Sequence, residues 1–432
     1  MKIAGEKNII NKLISGELVD PTSKRKIKPP VGKLIVEHNA LEKIIKIFDE
    51  GKFARPNINV AIVSDYNTHE IAGAAIERAL AKRYSVVSVI LPEDVKADEE
   101  SLKEVFCLSY GCKFIVAVGS GTINDLCKLA SFRHGIEYGV FATAPSMNGY
   151  LSPTASIAFG DVKTSIKAHL PKMAIFDLDI LCTAPERLIL SGLGDVICRS
   201  TIQADSYISH KLLGTKHNEF IFDFLNAAET ELLKEVKNLH KEDNSKAITT
   251  LVNALIAGGI AMWMSGTSEP ASQGEHMLCH YMESFFENKM LNFHGEEVGV
   301  ATLFMAKLQE KILSLDKLQL KPKKLTKKYF VELFGEEKAP KFYKEYKGKK
   351  LDAEIVEDIN KVLKKNWQKL REEISEKSLG YRQIFNILKE AGAAIDIADL
   401  GWKEDDFKQA CRNAYLTRNR FTFLDINEHK DI

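Results

Sequence analysis

Cysteine is scarce in this chain and never paired in a motif. Seven cysteines are spread over 432 residues, at Cys107, Cys112, Cys127, Cys182, Cys198, Cys279 and Cys411, with no CxxC among them. An odd, scattered set argues against a disulfide framework or a thiolate zinc knuckle. Bulk charge is missing too. Sixty Lys and Arg oppose 59 Asp and Glu, a net charge of +1, so there is no electrostatic case for nucleic acid or an acidic membrane as partner. No apolar run approaches the roughly 18 residues of a membrane span, and MKIAGEKNIINKLISGELVD holds no signal-type apolar core. No internal repeat is present. These absences lead to the expectation of a soluble protein of a reducing cytoplasm.

Residues 1–32 read as a short helix and a polar connector, PTSKRKIKPP. From Gly32 strand and helix signals alternate. KLIVE, NVAIVSD, SVVSVIL, KFIVAVG and YGVFA are strand-like, separated by helical or turn stretches. MAIFDLDILCTAP is expected to close the sheet near residue 181. The βαβα order predicts a Rossmann-like α/β domain over 33–181, a parallel sheet covered by helices. From 182 to 432 helical periodicity dominates, predicting an all-helical second domain. The Lys-rich, aromatic stretch over 320–350 carries interspersed Glu at helical spacing and reads as a solvated face.

Chemistry concentrates in a few places. Over 266–300 a small-residue loop leads into a helix from about Gly274. His276 and His280, four residues apart, leave one face of it, and His294 follows a break. GSGTINDLCK, Gly119 to Lys128, follows a buried-type strand and opens a helix. Such a turn suits a phosphate at the helix N-terminus, or equally a tight βα connection that needs glycine. Asp65, ending an earlier strand, suits a ribose hydroxyl and repels a 2′-phosphate, which favours NAD over NADP. TAPSMNGYLSPTAS is a second small-residue loop able to lie along a cofactor. Asp195, in SGLGDVICRST, reads as a helix N-cap or as a hard oxygen ligand completing an Asp/His/His set. LTRNRFTFLDI at the C-terminal end reads as packing plus a salt-bridged turn; its arginines are long enough to reach a phosphate, but nothing in the spacing shows that they do.

Five stretches taken together, GSGTINDLCK, TAPSMNGYLSPTAS, GLGDVICRST, ASQGEHMLCH and FHGEEVGV, resemble the sn-glycerol-1-phosphate dehydrogenases in order and approximate separation. Their superfamily also holds glycerol dehydrogenases, iron-containing alcohol dehydrogenases and 3-dehydroquinate synthases. The resemblance runs from about residue 33 to RNRFTFLD. It implies the dehydroquinate synthase-like fold, with NAD(P) in an α/β domain and metal in a helical one. Cofactor phosphates are then expected at Gly119, Ser120, Gly121, Thr122, Ile123, Asn124 and Asp125, with Thr143, Ala144, Pro145, Ser146 and Ser152 also on the cofactor. Asp195, His276 and His294 are the implied metal ligands, for zinc first and for nickel or iron as alternatives. His280, Asp195 and Asn148 are the implied catalytic or substrate-facing residues.

The family usually carries Asp at the position of Asn148. Iron alcohol dehydrogenases place a histidine four residues after the Asp ligand, where this chain has Arg199. The implied reaction interconverts dihydroxyacetone phosphate and sn-glycerol 1-phosphate, a step of phospholipid biosynthesis. The partner is a phosphorylated polyol or ketone, and a homo-oligomer is expected. A sugar-phosphate cyclase related to dehydroquinate synthase and a non-catalytic nucleotide- and metal-binding relative are the alternatives.

Overall fold

The computed structural model describes residues 9–55, 58–160, 162–286 and 292–431. The first eight residues of the expected N-terminal helix lie outside the described set, and Ile9–Ile14 is helical. Contacts divide the chain into two units. The first takes Met1–Val196 and Phe220–Ser268; the second takes Ile197–Glu219 and Glu269–Ile432.

The first unit is built on a parallel sheet. In chain order its strands are β1 (Lys33–Glu37), β2 (Asn59–Asp65), β3 (Ser85–Leu91), β4 (Phe114–Gly119), β5 (Glu137–Ala142) and, after a hairpin of β6 (Thr154–Phe159) and β7 (Val162–Lys167), β8 (Met173–Asp177). The sheet order is β1-β8-β5-β4-β2-β3. FIVAVG of β4 and MAIFD of β8 are buried at every position, as continuous apolar runs inside a parallel sheet must be. β1 and β3, at the two edges, are the more exposed strands. β8 is the last strand of the sheet in chain order, as expected near residue 181, and it inserts between β1 and β5. The antiparallel β6–β7 hairpin lies where the sequence read only a small-residue loop.

The expected boundary at 181 is not where the contacts divide the chain. The helix Ser245–Ser265 groups with the sheet because Gly258 and Gly259 let it approach the Asn148–Leu151 turn; a Cβ on Gly258 would stand 2.8 Å from Cβ of Asn148. This helix also corrects the reading of the apolar runs, since its 21 residues are long and apolar enough to cross a membrane. Most of it is buried, as in the core helix of a soluble domain.

The second unit is helical. Its parts include Arg199–Leu213, Gly274–Phe285, His294–Leu313, Ala353–Lys377 and Phe423–His429. In the Lys-rich segment, helix Lys327–Lys347 is kinked at Gly335 and buries Phe330, Phe334, Phe342 and Tyr346.

Three histidines away from the candidate site make stability pH-dependent. Burial is the first cause holding His169, His217 and His429 below the ordinary imidazole value. The unfolded chain therefore binds protons more readily than the folded one. The stability they contribute is present above about pH 6.5 and is lost as pH falls through their folded values. Urea midpoints are expected to drop between pH 7.5 and 5.5, and His429→Gln should flatten the dependence. An unchanged slope in that variant would remove His429 from the account.

Candidate active site

In the first unit the sheet presents a crevice at its carboxyl edge. From β2 the chain turns toward β3 on one side, and from β4 it turns toward β5 on the other. Strand order reverses between β2 and β4, which is where open α/β sheets receive their ligands. Asp65 ends β2 and Gly119 ends β4. Asp65 caps the following turn: its Oδ1 accepts the Thr68 N–H at 2.8 Å, in a reciprocal capping box. Its Oδ2 remains as an acceptor for a ribose.

The helix Gly121–His134 begins at Ser120, whose side chain makes no capping bond to the helix; its hydroxyl lies 2.6 Å from that of Ser146. No acidic residue occupies the first helical turn. The first N–H groups have no intrahelical acceptor, and the helix dipole adds positive potential there. With Ser120, Gly121 and Thr122 half-buried, this N-terminus fits the pyrophosphate of a dinucleotide.

The loop over 143–152 is clamped from behind. Tyr150 donates to the Ala144 carbonyl at 2.6 Å, and Ser191 donates to the Ser146 carbonyl at 3.1 Å. Gly192 touches the Pro145 carbonyl so closely that a Cβ could not fit. Thr143, Ala144 and Ser146 are thereby fixed in buried positions.

Lys128, which the sequence reading passed over, is a buried hub. Its ammonium donates to the carbonyls of Gly149 (2.7 Å) and Thr154 (3.0 Å), to Ser152 Oγ (3.2 Å) and to Asp125 (3.3 Å). Burial lowers its pKa against the opposing pull of Asp125. Asn124, Asp125 and Ser152 were expected on the cofactor. All three are buried with their side chains engaged here: Asn124 and the Ser156 N–H both donate to Asp125. They brace the loop.

Asp195 is not at a helix start. It lies in the last turn of Glu186–Ile197, whose internal Gly192 and Gly194 mimic a boundary in sequence. Its carboxylate accepts the Asn148 N–H at 2.7 Å, and its backbone carbonyl accepts from Asn148 Nδ2 at 3.3 Å. Asn148 is therefore oriented amide-nitrogen inward, with Oδ1 left as the acceptor.

In the second unit the three sequence-selected histidines come together. Ring centroids are 5.1 Å apart for His276 and His294, 6.1 Å for His276 and His280, and 5.8 Å for His280 and His294. His276 and His280 are carried by Gly274–Phe285, and His294 opens the next helix. Glu275, fully buried, accepts from His276 Nδ1 at 2.8 Å and from the Gln273 N–H at 2.7 Å. A carboxylate on one ring nitrogen fixes the tautomer and leaves the other, Nε2, without a proton. The only sequence signal for Glu275 was its position directly before His276.

His280 is held differently. Arg418 Nη2 lies 2.5 Å from its Nδ1. The guanidinium is always a donor, so Nδ1 accepts and the ring proton sits on Nε2. Of the two C-terminal arginines, Arg418 is thus engaged by an imidazole. Arg418 has no ion pair among the described residues, and Arg420 donates to the Ser272 carbonyl.

Comparison with known proteins places these features in context. The iron-containing alcohol dehydrogenase family matches residues 35–185. A glycerol-1-phosphate dehydrogenase [NAD(P)+] of Pyrococcus furiosus is 34% identical over 276 residues, 64% of this chain and 78% of that protein. A protein of the same description from Halalkalibacterium halodurans is 30% identical over 86% of this chain and 87% of its own length. Among solved structures, a probable glycerol dehydrogenase from Sinorhizobium meliloti matches with TM-score 0.63 and 14% identity, over 92% of this chain and 95% of that one, a likeness of fold.

Proposed function

This chain belongs to the glycerol-1-phosphate dehydrogenase family and is an NAD(P)-dependent oxidoreductase, and we propose that it interconverts dihydroxyacetone phosphate and sn-glycerol 1-phosphate. The observation that carries the proposal is His276, with its Nδ1 held by a buried carboxylate as zinc-binding histidines are held. Asp195, His276 and His294 would hold one divalent cation, zinc first by its donor set of one carboxylate and two imidazoles. When bound, the cation supplies Lewis-acid polarisation at the C2 oxygen, and the nicotinamide supplies or accepts the hydride at C2.

The chain's own residues do the rest. The Gly121–His134 N-terminus and the Ser120–Ser146 pair seat the dinucleotide. His280, protonated at Nε2 by its bond from Arg418, carries the proton to and from the C2 oxygen. Asn148 Oδ1 accepts a substrate hydroxyl, so the amide keeps the acceptor that an aspartate would offer and lacks only its charge. Orientation of C2 by these groups selects the 1-phosphate. The absence of a disulfide among the seven cysteines fits a reducing cytoplasm; a homo-oligomer acting in phospholipid biosynthesis belongs to the same reading.

The test is NAD(P)H oxidation by the metal-reconstituted protein with dihydroxyacetone phosphate, the product being resolved into its two enantiomers. Formation of the 3-phosphate, or no turnover with any metal, sinks the proposal. NAD should bind more tightly than NADP. Asp65→Asn keeps a good cap and removes the charge, so it is expected to narrow that preference about tenfold, roughly 1.4 kcal/mol. An unchanged ratio of dissociation constants takes Asp65 off the ribose.

A further inference from the structure

We propose that Arg418, with Arg420 and Lys341 beside it, is the anion-binding group that grips the phosphate of the substrate. The inference rests on the functional reading above and extends it to the part of the substrate that does not react.

Arg418 is an unusual arginine. It is only partly exposed, and its one hydrogen-bond partner among the described residues is the uncharged Nδ1 of His280. A guanidinium has five N–H donors in a planar fork, and this contact accounts for one. Taking such a cation out of water without a counter-ion is costly. Glu345, Glu283 and Glu275 exert some attraction on it, but none makes an ion pair with it.

The surroundings add like charge. Arg420 acts on Arg418 and Arg418 on Lys341, while Glu269, Glu275 and Glu345 attract Arg420. Burial first and Arg420 second push Arg418 down to about 9, and burial first and Arg418 second lower Lys341. Arg420 is fastened by the Ser272 carbonyl, at the start of the loop leading into the histidine helix. Arg418 keeps further N–H donors beyond its bond to His280, and Arg is the residue suited to bind phosphate bidentately. One guanidinium would then both fix the tautomer of His280 and hold the phosphate, locking the substrate's register relative to its proton carrier.

Inorganic phosphate is the probe, titrated calorimetrically into the protein with NADH saturating so that the helix N-terminus of the first unit is occupied. The parent should bind phosphate, Arg418→Lys more weakly, and Arg418→Ala more weakly still, by roughly 10- to 150-fold relative to the parent. In kinetics, the preference for dihydroxyacetone phosphate over dihydroxyacetone should fall in Arg418→Ala by a similar factor, chiefly through KM for the phosphorylated ketone. Parent protein that binds no phosphate overturns the proposal, as does an Arg418→Ala variant with parental phosphate affinity. Equal losses on both ketones also overturn it, since Arg418 would then act through His280 alone. If phosphate binds through Arg418 but dihydroxyacetone phosphate is not reduced, the functional reading fails and the anion site stands.

Discussion

Replacing His276 with alanine is expected to lower turnover about a thousandfold and to abolish retention of a divalent cation through dialysis. The magnitude follows from several kcal/mol of transition-state charge stabilisation, taken as about 4, at roughly 1.4 kcal/mol per decade of rate. Glu275→Gln provides the graded companion. It keeps the shape and one acceptor oxygen but removes the charge that fixes Nδ1 at 2.8 Å. Loss of such a supporting partner typically costs about 10- to 100-fold in metal affinity or activity. The order His276→Ala, then Glu275→Gln, then parent should therefore appear both in metal content by atomic emission and in turnover. His276→Asn, closer in volume, guards against a packing collapse around this buried ring. Parental metal content in both His276 variants would remove it from the ligand set.

What could be read from the sequence, and what could not, follows the range of the interactions involved. The core strands were legible because a strand buried on both faces must be apolar at every position, and FIVAVG and MAIFD are. The histidine helix was legible because four-residue spacing is a local property of one helix. The place of Asp195 was misread for the opposite reason. Gly192 looks like a helix boundary, yet it is glycine because the Pro145 carbonyl presses on it, 47 residues away in sequence. The β6–β7 hairpin was hidden by its small polar residues, whose alternation shows only in the burial pattern. The bonds of Asp125 and Ser152 to the buried ammonium of Lys128 were hidden because a loop motif does not reveal which side chains turn inward. Arg418 meets His280 across 138 residues, and no spacing rule reaches that far.

Asp205→Ala is expected to destabilise the second unit by about 3–5 kcal/mol, because three buried donors lose their shared acceptor. Asp205, on the Arg199–Leu213 helix, is wholly buried. Its Oδ1 accepts the Phe423 N–H at 2.9 Å and Gln309 Nε2 at 3.3 Å, and its Oδ2 accepts the Gly274 N–H at 3.1 Å. Those donors open the helix of His276 and His280, sit within the helix begun by His294, and open the helix that follows Arg418 and Arg420. One carboxyl group thus fixes the mutual placement of the elements that carry the histidine and arginine clusters. Alanine leaves three donors facing a dry interior, each costing about 1–3 kcal/mol unless water enters. Burial, and then the nearby Glu275, raise the pKa of Asp205 well above the ordinary carboxylate value. The stability linked to its proton is therefore present at low pH and is lost as pH rises through the folded value, and Asp205→Asn should remove that part of the dependence. Hydrogen exchange at the Gly274 and Phe423 amides is the direct readout. Both should lose protection in Asp205→Ala, with turnover falling in parallel; parental protection at both would show that the three helices are held in place by other contacts.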